Sequence, residues 1–400
     1  MKYQVAIVGG GIVGLASAYQ ILKTKPNTRL IILEKESKEA QHQTGHNSGV
    51  IHSGLYYKPG SLKATNCING YNMLLDFAKE QNIPYDLCGK VVVATNKSEL
   101  AELEKLYQRG IENGLKGLKR LNQAELKEIE PHVAGIEAIL VPQTGIIDYS
   151  LVSKKYREQI EAMGGSFKSN FRVEGVAKGR NIWLLRSNNE VVESETFINC
   201  AGLYSDKVAG LSIAKLDTKI IPFRGEYYML KPESHHLVKN LIYPVPDPNF
   251  PFLGVHFTRM MNGHIEAGPN AVLAFRREGY KKSQIHLGEL FESLMWPGFQ
   301  KVAAKYWKTG MGEMWRSFSK RAFVKALKKL IPEITANDLE VAPAGVRAQA
   351  CDRTGGLLDD FKIIEKPGEI HVLNAPSPAA TSSLSIGKSI AERWVSQRAS

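Results

Sequence analysis

Tyr3-Gln4-Val5-Ala6-Ile7-Val8-Gly9-Gly10-Gly11-Ile12-Val13-Gly14 passes from an apolar, partly β-branched run into a glycine-rich turn. Residues 12–22 then carry apolar side chains at helical spacing, Pro26 and Asn27 mark a turn, and 29–33 reads as a second buried strand. That strand ends in Glu34, twenty residues after Gly14. The whole is G-x-G-x-x-G in a strand–helix–strand unit, with its acidic residue in register. Gly9 permits the tight turn, Gly11 lets a pyrophosphate approach the backbone, and Gly14 lets the helix pack on the strand. The helix N-terminus offers unpaired N–H groups and the positive end of its dipole to the phosphates. Glu34 is placed to accept hydrogen bonds from ribose hydroxyls. A glycine-rich turn without a ligand would explain the glycines but not Glu34.

Three segments further along favour FAD over NAD. Thr44-Gly45-His46-Asn47-Ser48-Gly49-Val50-Ile51-His52-Ser53-Gly54 is a polar, glycine-rich loop where an NAD domain continues with a plain helix. Phe197-Ile198-Asn199-Cys200-Ala201-Gly202 reads as a late strand of the same sheet, so other material is inserted before it. Residues 369–373 form another strand, and Asn374-Ala375-Pro376-Ser377-Pro378 turns into a Ser/Ala-rich helix through 394. The start of that helix would face a buried ring system, where its N–H groups suit developing negative charge.

Composition narrows the classes around this core. The chain has 400 residues, 43% hydrophobic and 23% charged, which excludes a disordered or collagen-like protein and suggests two or three domains. Cys67, Cys88, Cys200 and Cys351 show neither a C-x-x-C pair nor metal-ligand spacing, so reduced thiols and no metal site are expected. Met1 and Lys2 lead straight into the first strand, so no signal peptide is expected. No run reaches the ~18 apolar residues of a membrane span. The formal charge is +12, and thirteen basic residues against four acidic ones between 276 and 329 account for +9 of it.

The polar segments also resemble a known family. His46-Asn47-Ser48-Gly49-Val50-Ile51-His52-Ser53-Gly54-Leu55-Tyr56-Tyr57 with Pro59-Gly60-Ser61 is similar to the L-2-hydroxyglutarate dehydrogenase (oxidase) family. So are Pro222-Phe223-Arg224-Gly225-Glu226-Tyr227, Tyr243-Pro244-Val245-Pro246-Asp247-Pro248 and Gly254-Val255-His256-Phe257-Thr258-Arg259. Gly268-Pro269-Asn270-Ala271, Pro343-Ala344-Gly345-Val346-Arg347-Ala348-Gln349 and Asn374-Ala375-Pro376-Ser377-Pro378-Ala379 complete the resemblance, which spans nearly the whole chain.

The resemblance implies an α/β fold: a discontinuous, Rossmann-type, glutathione reductase-like FAD-binding domain with an α+β substrate domain built on an antiparallel sheet. The FAD domain is assigned 1–82, 145–218 and 332–400, and the substrate domain 83–144 and 219–331. In the substrate domain 90–94, 226–231 and 263–268 read as strands, and 98–113 and 122–130 as capped helices. The cofactor set is Gly9, Gly11, Gly14, Glu34, Lys35, Thr44, Asn47, Ser48 and Gly49, then Val173, Ala201 and Gly202, then Asn374, Pro376, Ser377, Ala379, Ala380 and Thr381. The implied activity is FAD-dependent oxidation of L-2-hydroxyglutarate to 2-oxoglutarate by hydride transfer to flavin N5, with electrons passed to membrane quinone or O₂. Sister activities on an amino acid, an amine or glycerol-3-phosphate are the alternative, and a non-enzymatic membrane-binding protein or an NAD-linked dehydrogenase lies further off.

Oxidising a 2-hydroxy acid needs a base for the hydroxyl proton and cations for the carboxylates. His52, in the loop expected to face the flavin, is the first choice of base; a covalent flavin anchor or a backbone-bonded loop histidine are its other readings. His256 is the alternative base. Arg347 is the first choice for a bidentate grip on the substrate carboxylate, unless it pairs with an acid such as Asp352. Arg224 and Arg259 serve either the distal carboxylate or scaffold ion pairs, and Tyr227 and Tyr243 are possible donors to a substrate oxygen.

Within the basic stretch 276–330, Trp315, Phe318, Ala322, Phe323, Ala326, Leu327, Leu330 and Ile331 fall on one face of a single helix, with lysines and arginines largely elsewhere. That is the pattern of an interfacial anchor on anionic lipid, or of an ordinary helix with one core face. Nucleic acid is set aside, because no nucleic-acid module accompanies the charge. A cytoplasmic protein is expected, free or held at the inner face of the cell membrane. The oligomeric state stays open.

Overall fold

A computed structural model describes residues 2–188, 190–247 and 253–399. Pro248, quoted above within a family-like segment, lies outside the described residues.

The strand Lys2–Val8 sits at the centre of the first sheet, with Val5, Ala6 and Ile7 fully buried. It pairs in parallel with Leu30–Leu33 on one side and Glu190–Asn199 on the other. Ser166–Lys168 and Glu369–Asn374 extend the parallel array at its two edges. An apolar run at the centre is what a parallel sheet covered on both faces requires. Register brings Leu33 and Asn199 level with Val8, so the carboxyl ends of three strands align beside the glycine turn. Three distant pieces of chain thus build one cofactor-type sheet, as a discontinuous Rossmann-type domain demands. The helix Ile12–Thr24 packs on it against Ser383–Ala399 and Tyr149–Ala162. The carboxyl-terminal helix begins at Ser383, five residues after Pro378, and 378–382 is turn.

The second sheet has nine strands and is antiparallel except where Lys90–Ala94 runs parallel to Leu241–Pro244. Its longest strand, Thr218–Leu230, pairs with Ile265–Leu273 on one side. On its other side it pairs with Gly345–Asp352 and then Leu339–Val341. Those last two strands fall in the stretch 332–400 assigned by sequence to the cofactor domain, but their hydrogen bonds are made in the antiparallel sheet. Val91, Ile242, Phe257, Ile265 and Ala267 all pack on the side of the sheet covered by Phe323, Val324 and Leu327. By alternation, Lys90, Tyr243, His256 and Glu266 project from the opposite face.

The single helix expected over 315–331 is two helices. Pro297–Phe318 is kinked at Tyr306 and ends before Ser319, whose extended backbone and side-chain cap on the Ala322 N–H start Lys320–Leu327. Phe323, Leu327, Leu330 and Ile331 are core, whereas Trp315 and Phe318 are exposed, so the apolar stripe read as one face is divided between interior and solvent. Nor is the basic stretch wholly a surface. Arg277 is 2% exposed and grips Asp206 bidentately, with Nη1–Oδ1 at 2.6 Å and Nη2–Oδ2 at 2.8 Å.

Candidate active site

The glycine turn has the geometry its spacing implies. Gly9 has φ +110°, and a Cβ there would lie 2.5 Å from the Cys200 carbonyl oxygen. A Cβ on Gly14 would lie 2.1 Å from the Gly9 oxygen, so helix and strand touch backbone to backbone. Gly11 differs: it precedes the helix without a side-chain cap, and a Cβ would meet only Thr44 Oγ1, at 3.5 Å. The space beside Gly11 is therefore an open cradle at a helix N-terminus, which suits a pyrophosphate. Thr44 Oγ1 accepts the Ile12 N–H at 3.1 Å. Glu34, at the end of its strand, accepts the Gly10 N–H at 2.6 Å and the Glu36 N–H at 2.9 Å. It braces the turn from the side where a ribose would lie.

Asn47 ties the following loop, donating to the Thr44 carbonyl and accepting the Gly49 N–H at 2.8 Å, with Ser48 between. Ala201 donates to Asn199 Oδ1 at 3.1 Å, and Gly202, with φ +54°, follows it at the mouth of the cradle. Val173 packs beside Val8 and Phe171. Lys35 points elsewhere: its ammonium pairs with Glu278 and lies 3.4 Å from Glu36, over the Tyr204 ring. Glu36, His42 and Glu278 form the one cluster of metal-ligand type among the described residues, and the Lys35 ammonium stands beside two of its three members.

The carboxyl-terminal turn reaches back to the same loop. Thr381 Oγ1 accepts the His52 N–H at 3.1 Å and contacts the Tyr149 hydroxyl at 2.8 Å. Ser377 Oγ lies 3.5 Å from His52 Nε2. Asn374 donates to the Leu358 and Asp360 carbonyls at 3.0 and 2.8 Å, while its buried Oδ1 has no partner among the described residues. Pro376 accepts the Ala379 N–H at 2.9 Å, and Ala379 and Ala380 pack against the first core. A glycine cradle, a carboxylate at the second strand and a polar turn with an orphaned acceptor together fit FAD laid from Gly11 toward His52.

The remaining candidates gather on and beside the second sheet. His256 is buried, its ring tilted 34° to that of Tyr243 with centroids 4.0 Å apart, and its Nδ1 lies 2.9 Å from the Gly254 carbonyl. That bond assigns the proton to Nδ1 and leaves the Nε2 lone pair free. Burial pushes His256 down to about 3, and nearby Arg347 and Lys90 push the same way. His52 is likewise held at about 3, by burial first and then by Lys90, His256, Lys63 and Arg347. Both imidazoles are therefore neutral at physiological pH, and the cations that depress His52 share one chamber with it. Tyr227 joins them through a hydrogen bond with Arg347, which is exposed toward solvent.

Two other candidates are committed elsewhere. Arg224 donates from Nε and Nη2 to Glu226 Oε1 at 3.0 and 2.8 Å. Arg259 is ion-paired with Asp86. Sequence reading passed over Lys90 and Glu266, which face the chamber. Lys90 opens an otherwise apolar run, and a charge at the head of a buried strand was the available signal. Glu266 is pushed up to about 7 by burial alone.

The pairing of a nucleotide cradle with a chamber of neutral histidines and cations defines a flavin-type oxidoreductase site. The family model described as FAD dependent oxidoreductase matches residues 4–393, and the chain belongs to that family. Within it the chain sits among the L-2-hydroxyglutarate dehydrogenases. It is 61% identical over 399 residues to the L-2-hydroxyglutarate dehydrogenase of Indibacter alkaliphilus, covering 100% of both chains. It is 45% identical to the mitochondrial L-2-hydroxyglutarate dehydrogenase of Homo sapiens, covering 99% of this chain and 89% of that one. Among solved structures, an L-alpha-glycerophosphate oxidase from Mycoplasma pneumoniae with FAD bound superposes with TM-score 0.80 at 24% identity, over 99% of this chain and 95% of that one. A glycine oxidase from Geobacillus kaustophilus gives TM-score 0.74 at 16% identity, over 98% of this chain and 95% of that one. The fold is thus shared with oxidases named for glycerophosphate and for glycine.

Proposed function

We propose that this chain oxidises L-2-hydroxyglutarate to 2-oxoglutarate with FAD as its cofactor. The observation that carries the reading is the chamber itself, in which two neutral imidazoles stand among Arg347, Lys90 and Lys63. A dianionic substrate supplies the negative charge such a chamber calls for, and a neutral imidazole supplies the base. When bound, FAD supplies the hydride acceptor. Arg347 grips the carboxylate next to the reacting carbon, and Tyr227 steadies that guanidinium through their hydrogen bond. His52 takes the hydroxyl proton, being tied by its own N–H to Thr381 at the turn that faces the cofactor. His256 Nε2 helps to orient the substrate oxygen. The purified flavoprotein is expected to lose its flavin absorbance when L-2-hydroxyglutarate is added without oxygen. Bleaching by glycine, an amine or glycerol-3-phosphate instead would transfer the assignment to a sister activity.

The electrons then pass to a quinone in the membrane, with O₂ as the alternative acceptor. Among the described residues no helix is long and apolar enough to cross a membrane. Peripheral attachment to anionic lipid is supported by a stripe on the second half of Pro297–Phe318. Trp307, Met311, Trp315 and Phe318 recur one turn apart and are 55–69% exposed, and Lys301, Lys305 and Lys308 are exposed beside them. Aromatics with flanking lysines on a free helix face suit the headgroup region of an anionic bilayer. The protein is expected to float with phosphatidylglycerol vesicles at low salt. Trp307→Ser with Trp315→Ser is expected to lower that binding at least tenfold while leaving turnover with a soluble dye acceptor unchanged. Equal flotation of wild type and variant would remove this surface from consideration.

A further inference from the structure

Lys90 is buried to 2% exposure at the head of the strand Lys90–Ala94, on the chamber face of its sheet. An ammonium taken out of water is costly unless it is paired and hydrogen-bonded. Among the described residues no carboxylate forms an ion pair with Lys90. Its Nζ lies instead over two aromatic faces, 4.4 Å from the centre of the Tyr56 ring and 5.0 Å from that of Tyr243. Ring faces compensate a buried cation only partly. The Tyr56 hydroxyl is buried as well, and it too has no hydrogen-bond partner among the described residues. Two donors that need an acceptor oxygen therefore stand side by side. The other cations that could serve a second carboxylate are already engaged: Arg224 by Glu226, Arg259 by Asp86 and Lys63 by Asp359.

We infer that Lys90, with the Tyr56 hydroxyl beside it, receives the distal carboxylate of the dicarboxylate substrate, while Arg347 holds the carboxylate at the reacting carbon. This rests on the L-2-hydroxyglutarate reading above. It makes Lys90 the residue that distinguishes a five-carbon dicarboxylate from a 2-hydroxy monocarboxylate of the same length.

The charge state of the site adds a signature. Burial lowers Lys90 to about 7. The groups facing it are His52 from the glycine-rich loop and His256 from its strand, both near 3. Cys67, from the helix Leu62–Glu80, is raised to about 12, and Tyr56 and Tyr243 are raised as well. Lys63 and Arg347 are cationic neighbours of His52, and Glu266, near 7, faces Tyr243. Of the facing groups with a resolved shift, only Lys90 and Glu266 change charge between pH 6 and 9. Lys90 is charged below about 7 and loses its proton above it, so dicarboxylate affinity falls as pH rises.

The test uses the FAD-loaded enzyme, wild type and Lys90→Gln. Turnover is measured with L-2-hydroxyglutarate and L-2-hydroxyvalerate, and binding of glutarate and valerate is followed by flavin absorbance from pH 6.5 to 8.5. Lys90→Gln is expected to lose at least a hundredfold in kcat/KM for L-2-hydroxyglutarate and less than threefold for L-2-hydroxyvalerate. The wild-type Kd for glutarate is expected to rise up to tenfold per pH unit above 7, that of valerate to stay level, and the glutarate slope to vanish in the variant. Equal losses on both substrates, no loss, or a slope that persists in Lys90→Gln (and so belongs to Glu266) would each overturn the assignment. Should the variant fail to take up FAD, a flat wild-type glutarate titration still overturns it. Wild type inactive on L-2-hydroxyglutarate overturns the substrate reading and Lys90 with it, whereas an active wild type with an unselective variant overturns Lys90 alone.

Discussion

Gly11→Ala is expected to give a folded protein that no longer retains FAD, whereas Gly14→Ala is expected to fail at folding. The two glycines belong to one motif, but their surroundings differ. A Cβ on Gly14 would stand 2.1 Å from the Gly9 carbonyl oxygen, a backbone atom that cannot retreat without moving the helix Ile12–Thr24 off its strand. That helix is buried along most of its length in the first core, so the displacement would disturb the parallel sheet as a whole. At Gly11 the backbone is extended at φ −78°, which alanine adopts freely, and the nearest atom to a new methyl is Thr44 Oγ1 at 3.5 Å. Losing glycine at this position before the helix costs about 1 kcal/mol or less. The methyl would instead occupy the place from which a pyrophosphate must meet the helix N–H groups. Gly11→Ala should therefore keep the wild-type far-ultraviolet circular dichroism and lose at least a hundredfold in FAD affinity, seen as a colourless preparation. Stoichiometric flavin in that variant would place the pyrophosphate elsewhere.

The same contrast explains which parts of the site were legible in the sequence. The glycine turn, Glu34 and the turn from Asn374 to Thr381 are local features whose spacing carries their geometry, and the structure places each at a strand end of one sheet. The role of Arg224 was also within reach, since Glu226 two residues on along the same strand projects to the same side and takes its guanidinium. Arg259 was not, because its partner Asp86 is 173 residues away. Lys90 was hidden for the same reason: what buries it are Tyr56 and Tyr243, brought together only by the sheet. The basic stretch misled because apolar spacing happens to continue in phase across Ser319, where the helix stops. Periodicity reports which residues could share a face, not whether the backbone between them stays helical.

Redistributing the basic stretch also changes what the net charge of +12 means. Arg277 is consumed by Asp206 in the interior, and Lys282 lies 3.6 Å from Glu226, while Lys301, Lys305, Lys308 and Arg321 remain on the outside. Lys325, Lys328 and Lys329 are exposed as well, so the outward-facing part of the stretch spans both helices. The chamber's own cations are few and come from other segments: Lys63, Lys90 and Arg347.

Replacing His52 by Gln is expected to lower kcat for L-2-hydroxyglutarate by about 10²–10⁴, the usual worth of a positioned general base. His256→Gln is expected to cost about tenfold, mostly in KM, because the Gln amide oxygen can still accept a hydrogen bond from the substrate hydroxyl in place of the Nε2 lone pair. The two histidines are separable because their surroundings differ. His52 is tied to Thr381 and Ser377 of the carboxyl-terminal turn. His256 is fixed by the Gly254 carbonyl and the Tyr243 ring on the sheet. The pH profile gives an independent check. An imidazole at its ordinary value near 6.5 would be mostly protonated at pH 5.5, and kcat/KM would fall about tenfold there. With His52 held at about 3, the neutral base is present throughout, and the acid limb of kcat/KM should stay level from pH 6.5 to 5. The alkaline limb should fall above about 7, as Lys90 loses the proton that attracts the dianion. An acid limb breaking near 6.5 would mean that the chamber does not depress its histidine. Equal kcat losses in both variants would mean that neither histidine acts alone as the base.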